Sequence, residues 1–199
     1  MTSRKVVGVF LNSATHQPHV NTLTAMTHGI RETTDNLVFL SNSTKYTDCD
    51  VAIIFGSWKD RHTQHHILKN DVVNNHKGDL LVLETPLLGR TITEDHRYYR
   101  VGKGHYMDSL GYFNNKNSDK DRWGIIRTDL NLNVKDWRKD GKHIMFLMQL
   151  PGDAATADVD ILKWLQDEIV KCKKISDRPI RIRMHPLISS YDLSKFEEF

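Results

Sequence analysis

The sequence predicts an α/β fold built on a doubly wound parallel sheet. Short apolar runs that are continuous rather than alternating recur along the first half of the chain. Stretches with helical spacing of apolar residues follow the first and third of these runs, and polar residues close each run. Strands that are apolar on both faces and alternate with helices are typical of a parallel sheet covered on each side. Right-handed crossovers then lead to a doubly wound arrangement.

The predicted strands of the first half are β-branched or leucine-rich segments that end in turn-forming residues. They span residues 6–11, 37–40, 51–56 and 80–83. Ligands of such sheets bind beyond the carboxyl ends of the strands. The segments that follow the strands are all polar, so we expect a cleft there; they are residues 12–19, 41–46, 56–61 and 84–90.

Two predicted helices in the same half each place apolar residues on one face. These residues are Leu23, Met26 and Ile30 in a helix over 21–32, and Ile67, Leu68 and Val72 in a helix over 63–75. The second helix should stop at His76-Lys77-Gly78, because glycine favours a helix end.

The pattern changes in the middle of the chain. Residues 97–102 fit a further strand, and residues 102–121 are rich in Gly, Asn, Asp and Lys, which predicts a long loop. Residues 123–138 are amphipathic but irregular.

A second βα pattern begins at residue 143. We predict a strand over 143–148, a helix over 158–173 with Asp158 as N-cap, and a strand over 179–186. Two strands and one helix cannot cover both faces of a stable sheet. Either the chain is a fragment, or these elements extend the first sheet.

Composition sets broad limits on function. The net charge of +3 permits a polyanionic partner, but the basic residues are spread along the chain rather than concentrated as in a DNA-binding module. Two cysteines, Cys49 and Cys172, favour a reducing compartment over a disulfide scaffold. The sequence has no apolar run of membrane-spanning length and no signal-peptide core, so we expect a cytoplasmic protein without a membrane partner.

The C-terminal third contains a specific set of motifs. Gln149-Leu150-Pro151-Gly152-Asp153-Ala154, a helix with Trp164, and Arg183-Met184-His185-Pro186 together resemble the start of the donor domain in GT-B glycosyltransferases, which have two Rossmann-like domains. Capsule-type sugar transferases and phage enzymes that decorate modified DNA bases belong to this class. Residues 109–123 and 136–138 resemble the interdomain region of the same proteins, so that the likeness covers about residues 80–190.

The resemblance implies a domain organisation. Residues 1–120 would form an acceptor-side Rossmann-like domain, residues 121–142 a connection, and residues 143–199 the beginning of a nucleotide-sugar donor domain. The second Rossmann-like domain would be only partly present.

The donor site that the resemblance implies is a cradle for a diphosphate. Glycine lets the backbone approach a phosphate, a helix N-terminus favours negative charge, and basic side chains donate to its oxygens. We assign donor binding to Gln149, Gly152, Asp153, Arg183 and His185. Gly152 could instead be a plain turn residue, and Asp153 a helix cap.

An inverting transferase also needs a base for the acceptor hydroxyl. His16 and His19 follow the first strand, where several GT-B enzymes place a catalytic histidine, and imidazole suits this role near neutral pH. Glu84 and Asp108 are acidic candidates. Of these four candidates for the one base we select His16 and Asp108, with His19 and Glu84 as alternatives.

Basic and aromatic residues interleave between Arg90 and Trp123. Basic groups could hold phosphates and rings could stack on an extruded base, so we assign acceptor binding to Arg90, Tyr106, Arg122 and Trp123. The alternative is a solvated or sugar-stacking loop. DNA is the preferred acceptor because no membrane or secretion signal points to a glycolipid.

Other chemistries find little support in the sequence. The histidines His62, His65, His66 and His76 lack further ligands at metal-binding spacing, so no metal is expected. Neither a Gly-x-Gly-x-x-Gly turn, a Walker lysine loop nor a Gly-x-Ser-x-Gly elbow occurs. The hypothesis is therefore a metal-independent glycosyltransferase with a nucleotide-sugar as co-substrate and no other cofactor. The alternatives are a capsule or lipopolysaccharide transferase and a non-catalytic Rossmann-like module that binds a nucleotide or a partner.

Overall fold

The computed structural model describes residues 4–58, 63–85, 88, 98–107, 110–114, 116, 118–150, 153, 156 and 158–186. Its contacts divide the chain into two compact units, Met1–Leu132 and Asn133–Phe199. The helices and strands of the first unit are β1 (Val6–Leu11), α1 (Gln17–Thr33), β2 (Leu37–Asn42), β3 (Val51–Phe55), α2 (Gln64–Asn75), β4 (Asp79–Glu84), β5 (Arg100–Lys103) and α3 (Arg122–Asp129).

The first unit contains a five-stranded sheet with the order β2-β1-β3-β4-β5. Strands β1 to β4 run parallel to one another, as the sequence predicts. Strand β5 runs antiparallel to β4, with Arg100 opposite Glu84 and Lys103 opposite Leu81. The fold is thus an α/β fold with a mostly parallel sheet and an antiparallel strand at one edge.

Helices cover both faces of this sheet. On one face, Leu23 of α1 packs on alternate residues of β1 and on Ile53 and Phe55 of β3. On the other face, Leu68 and Val72 of α2 pack on Phe10, Ala52, Ile54 and Val82. Successive residues of a strand point to opposite faces, so a central strand must be apolar throughout. This explains the continuous apolar runs of β1 and β3.

Two helices differ from the sequence prediction. Helix α1 begins at Gln17 rather than at residue 21, because Pro18 is tolerated in the first turn, where its missing N–H has no helical partner. Helix α2 begins as predicted, but Ile67 is 46% exposed rather than directed inward. Helix α3 forms in the segment predicted to be irregular and buries none of its residues.

The described part of the second unit is a single βαβ arrangement. It consists of β6 (Ile144–Leu147), α4 (Ile161–Lys173) and β7 (Ile180–Arg183). The two strands pair in parallel as a separate two-stranded sheet, so they do not extend the first sheet. Ile161, Leu165 and Ile169 of α4 form the buried core of this unit.

The start of α4 corrects one prediction. The N-cap is Asp160, whose side chain accepts a hydrogen bond of 3.0 Å from the backbone N–H of Lys163. Asp158, predicted as the N-cap, lies two residues upstream and is exposed.

Within the described residues, none of the helices combines the length and the apolar composition that crossing a bilayer requires.

Candidate functional site

The connections of the chain diverge between two central strands of the sheet. From β1 the chain passes through α1 to β2 on one side, whereas β3 lies on the other side of β1. Open α/β sheets bind ligands at this kind of switch point, beyond the carboxyl ends of the strands. The topology alone therefore marks the ends of β1 and β3 as the place to look for a site.

A cavity of about 220 Å³ opens at this switch point. We call it the switch-point cleft. It is lined by the ends of β1, β3 and β4 and by the first two turns of α1 and α2: Phe10, Thr15, His16, His19, Leu23, Phe55, Gly56, Ser57, His65, Leu68, Lys69 and Glu84.

The loop after β1 is fixed by a buried asparagine. Asn12 is 3% exposed, and its carboxamide nitrogen donates a 2.9 Å hydrogen bond to the carbonyl of Gln64 at the start of α2. Its carboxamide oxygen accepts from the backbone N–H of Ala14, and its own N–H donates to Thr15 Oγ1. These bonds hold the loop against α2, and so they place His16 at the N-cap of α1, at the rim of the cleft.

Ring stacking positions the second histidine of the cleft. The imidazole of His19 stacks on Phe55, with ring centroids 3.8 Å apart and planes 14° from parallel. The rings of His16 and His19 lie 6.0 Å apart. Phe55 also meets Tyr99 edge-on, and the Tyr99 hydroxyl lies 2.9 Å from Thr22 Oγ1 on α1. His19 is therefore one wall of the cleft, and its ring is positioned by stacking on Phe55.

The exit of β3 brings a lysine into the cleft. Gly56 has a φ of +74°, a conformation that favours glycine, and its N–H donates to the carbonyl of Leu83. After this turn the Phe55 carbonyl faces α2, and Lys69 Nζ of that helix donates a 3.3 Å hydrogen bond to it. The ammonium group is thereby held at the end of β3.

A carboxylate completes the lining. Glu84, the last residue of β4, is half-buried. Its Oε1 accepts two bonds from Thr85, at 2.6 Å from the backbone N–H and at 2.9 Å from the hydroxyl. These bonds fix the orientation of the carboxylate at the edge of the cleft.

The chemistry of this arrangement combines imidazoles, an ammonium group and a carboxylate around one small cavity. Imidazole can accept or donate a proton near neutral pH. Lysine can hold an anion as a point charge. The sequence prediction named His16, His19 and Glu84 but missed the contribution of Lys69. The available signal was the spacing of His65 and Lys69, since residues four apart share a helix face.

The structure places the other acceptor candidates elsewhere. Tyr106 stacks on His105 and meets Trp58 edge-on, packed against the α2 side of the core. Arg122 and Trp123 are exposed at the start of α3. Arg90 and Asp108 lie outside the described residues.

The donor candidates lie around the βαβ arrangement of the second unit. Gln149 is exposed, and the backbone N–H of Asp153 donates to the carbonyl of Leu150. Ile180 and Ile182 pack against the core that α4 covers, so the side chain of Arg183 lies on the opposite face of the two-stranded sheet. His185 follows β7 and is half-buried, and Gly152 lies outside the described residues.

A second polar cluster lies at the opposite, amino edge of the sheet. The Tyr46 hydroxyl lies 3.0 Å from His76 Nδ1 and donates to Asp48, while His76 Nε2 lies 3.1 Å from the Asp79 carbonyl. Burial, followed by the bond to Asp48, raises the pKa of Tyr46 to about 12. Burial likewise raises the pKa of the Cys49 thiol, which opposes formation of a nucleophilic thiolate. This cluster ties strand ends together.

Metal-binding groups do not converge in the described part of the chain, where no cluster of three or more His, Cys, Asp or Glu side chains could hold an ion.

The fold and the cleft define an α/β protein with a Rossmann-like, mostly parallel sheet and a polar cavity at its topological switch point. Comparison of the chain with protein-family models, with curated protein sequences and with solved structures finds no match. The case for a function therefore depends on the geometry of the site and on the motifs of the sequence.

Proposed function

We propose that this chain is a metal-independent glycosyltransferase that moves a sugar from a nucleotide-sugar to an acceptor hydroxyl, with the acceptor bound in the switch-point cleft. One observation carries the proposal. The residue that the sequence nominates as the base, His16, lines the same cavity as Lys69 and Glu84. Such a group of residues can activate a hydroxyl and hold a polar acceptor.

In the proposed reaction, an imidazole nitrogen of His16 takes the proton of the acceptor hydroxyl. The acceptor oxygen then forms a bond to the anomeric carbon, and the bond from that carbon to the nucleotide diphosphate breaks. His19 is the alternative base because its ring is 6.0 Å from that of His16 and lines the same cavity. Donor binding by Gln149, Gly152, Asp153, Arg183 and His185 is part of the proposal through the family resemblance.

The test is turnover of a panel of nucleotide-sugars by the full chain, measured as release of nucleoside diphosphate. We expect His16→Asn to lower the rate about 10²- to 10⁴-fold, the usual contribution of general base catalysis. His28→Asn is the matched control, because His28 is an exposed histidine on the same helix and outside the cleft. Equal rates for the His16→Asn variant and the unaltered protein would remove His16 from the mechanism, and the same measurement on His19→Asn tests the alternative.

The preferred acceptor is a hydroxymethylated base in DNA, with Arg122 and Trp123 as contacts. Both side chains are exposed at the start of α3, where a cation and a ring are available to a phosphate and a base. Electrophoretic mobility shifts with modified and unmodified duplexes, at several salt concentrations, test this choice. Transfer to a capsule or lipopolysaccharide sugar without salt-dependent DNA binding would favour the polysaccharide acceptor instead.

A second candidate is a non-catalytic module that binds a nucleotide. The position of the cavity at the switch point favours it, because that position is common to nucleotide-binding α/β proteins whatever their chemistry. Nucleotide binding without turnover of any nucleotide-sugar would identify this function.

A further inference from the structure

The switch-point cleft is polarised. On the α2 side it presents His65 and Lys69, and on the β4 side it presents the carboxylate of Glu84. His16 and His19, near the start of α1 and after the end of β1, line the same cavity. A ligand that matches this lining is a small molecule or a single residue that carries both an anionic group and hydroxyl groups.

The size of the cavity limits the ligand further. Its volume of about 220 Å³ is below the roughly 300–1,000 Å³ of sites that enclose drug-sized ligands. A whole nucleotide-sugar would not be enclosed. A phosphate group with a single sugar attached is closer in scale.

Lysine is placed to meet the anionic group. Lys69 is half-buried, and its bond to the Phe55 carbonyl keeps the ammonium at the end of β3. Neighbouring parallel strands lie about 4.8 Å apart, and β1 pairs directly with β3. The ammonium at the end of β3 and His16 beyond the end of β1 thus line one cavity at two adjacent strands.

We propose that the switch-point cleft binds the phosphate group of an organic phosphate, with Lys69 as the principal anion contact, and that the acceptor hydroxyl of the proposed transfer therefore belongs to a phosphorylated compound, either a nucleotide, as in DNA, or a sugar phosphate. The part about the acceptor rests on the proposed function, whereas the part about phosphate binding does not. The phosphate can belong to a sugar phosphate or to a nucleotide, since both present a phosphate beside a sugar.

Binding is tested by titrating the full chain with inorganic phosphate, glucose 6-phosphate and adenosine monophosphate, with glucose and adenosine as neutral counterparts. The readouts are calorimetry and the NMR signals of the histidine imidazoles. We expect the phosphates to bind and to shift the signals of His16 and His19, and the neutral compounds to bind at least about tenfold more weakly. Tighter binding of glucose 6-phosphate or of adenosine monophosphate identifies the source of the phosphate.

Variants at Lys69 locate the anion contact. We expect Lys69→Gln to weaken phosphate binding at least about tenfold, which corresponds to about 1.4 kcal/mol, and Lys69→Arg to keep most of the affinity. The matched control is Lys77→Gln, because Lys77 is exposed just beyond the end of α2 and does not line the cleft. Circular dichroism shows whether each variant is folded. If Lys69→Gln does not fold, the phosphate affinity of Lys69→Arg still tests whether a cation at this position is enough for binding.

Two results would overturn the inference. One is phosphate affinity in Lys69→Gln equal to that of the unaltered protein, and the other is phosphate binding that leaves the His16 and His19 signals unmoved. Neither outcome depends on transfer. Phosphate binding at the cleft without turnover of any nucleotide-sugar supports the inference about binding and rejects the proposed enzyme.

Discussion

At the scale of single residues, short polar side chains decide where the elements of this protein begin. Asn12 ties the loop after β1 to the start of α2, and Asp160 accepts the bond from Lys163 that starts α4. Asp160 thereby accepts from a backbone N–H that the first turn of a helix leaves without a partner, and Asn12 also accepts from the backbone N–H of Ala14 in its loop. The position of His16 in the cleft depends on the first of these contacts.

The cap of α4 allows a sharp test, because two aspartates compete for it in the sequence. We expect Asp160→Ala to lower the free energy of unfolding by about 1 kcal/mol, the usual effect of losing an N-cap side chain. Asp158→Ala is the matched control and should change it by less than about 0.5 kcal/mol, as for other exposed positions. Urea unfolding followed by circular dichroism measures both. A larger loss for Asp158→Ala would mean that the helix begins at the earlier aspartate.

At the scale of elements, helices α1 and α2 stabilise the sheet by covering its two faces. The same helices carry most of the polar residues of the cleft in or just before their first two turns, so packing and site geometry are linked. Leu23 and Leu68 lie in the core and also line the cleft. A change in how either helix packs will therefore move His16, His19 or Lys69.

Two neighbouring apolar residues of α2 differ in how deeply they are buried, and this difference predicts different effects on stability. Leu68 is 1% exposed, whereas Ile67 beside it is 46% exposed. We expect Leu68→Ala to cost about 2–5 kcal/mol of stability, from lost burial and the cavity left behind. Ile67→Ala should cost less than about 1 kcal/mol, because that side chain is half in water already. Thermal and urea unfolding measure the difference, and equal losses would contradict the orientation of α2.

Strands could be predicted from sequence where burial of both sheet faces requires a continuous apolar run. Strands β1 and β3 are apolar throughout because both of their faces are covered, and their prediction is confirmed. The direction of β5 was not predictable, since nothing in its four residues records whether a partner strand runs parallel or antiparallel. Helix α3 was missed because it has only eight residues, includes Gly124 and buries none of its side chains, so that its short apolar pattern did not indicate a helix.

The candidate site was predictable in part for a related reason. The ends of strands can be read from sequence, so His16, His19 and Glu84 could be placed at one edge of the sheet. The entry of Lys69 depends on the turn at Gly56 and on the start of α2, which are tertiary features. The side of the second sheet on which Arg183 lies likewise followed only from the packing of Ile180 and Ile182 on α4.

At the scale of the whole molecule, each compact unit has its own hydrophobic core. The first unit is centred on the sheet between α1 and α2, and the second on Ile161, Leu165 and Ile169 of α4. The division falls between Leu132 and Asn133. The residues from 133 to 143 form neither helix nor strand, and most of them are exposed. This segment connects the two units, and its backbone lacks the regular hydrogen bonds of a helix or a strand.

Limited proteolysis with trypsin tests this division. Proteases cut preferentially in exposed irregular segments, whereas a cut within a helix requires that the helix first open. The segment offers four exposed basic residues: Lys135, Arg138, Lys139 and Lys142. The comparison sites are Lys163 and Lys171, which are also exposed but lie within α4.

We expect cleavage at the four sites of the segment to precede cleavage at the two sites in α4, as followed by intact mass over time. The N-terminal product should keep the circular dichroism of a folded α/β unit, because its sheet is covered on both faces by its own helices. Replacement of all four basic residues by Gln serves as the control and should slow this cleavage without changing the rate at Lys163. Cleavage in α4 before any cleavage in the segment would contradict the boundary, because it would show that the helix opens more readily than the connection is cut.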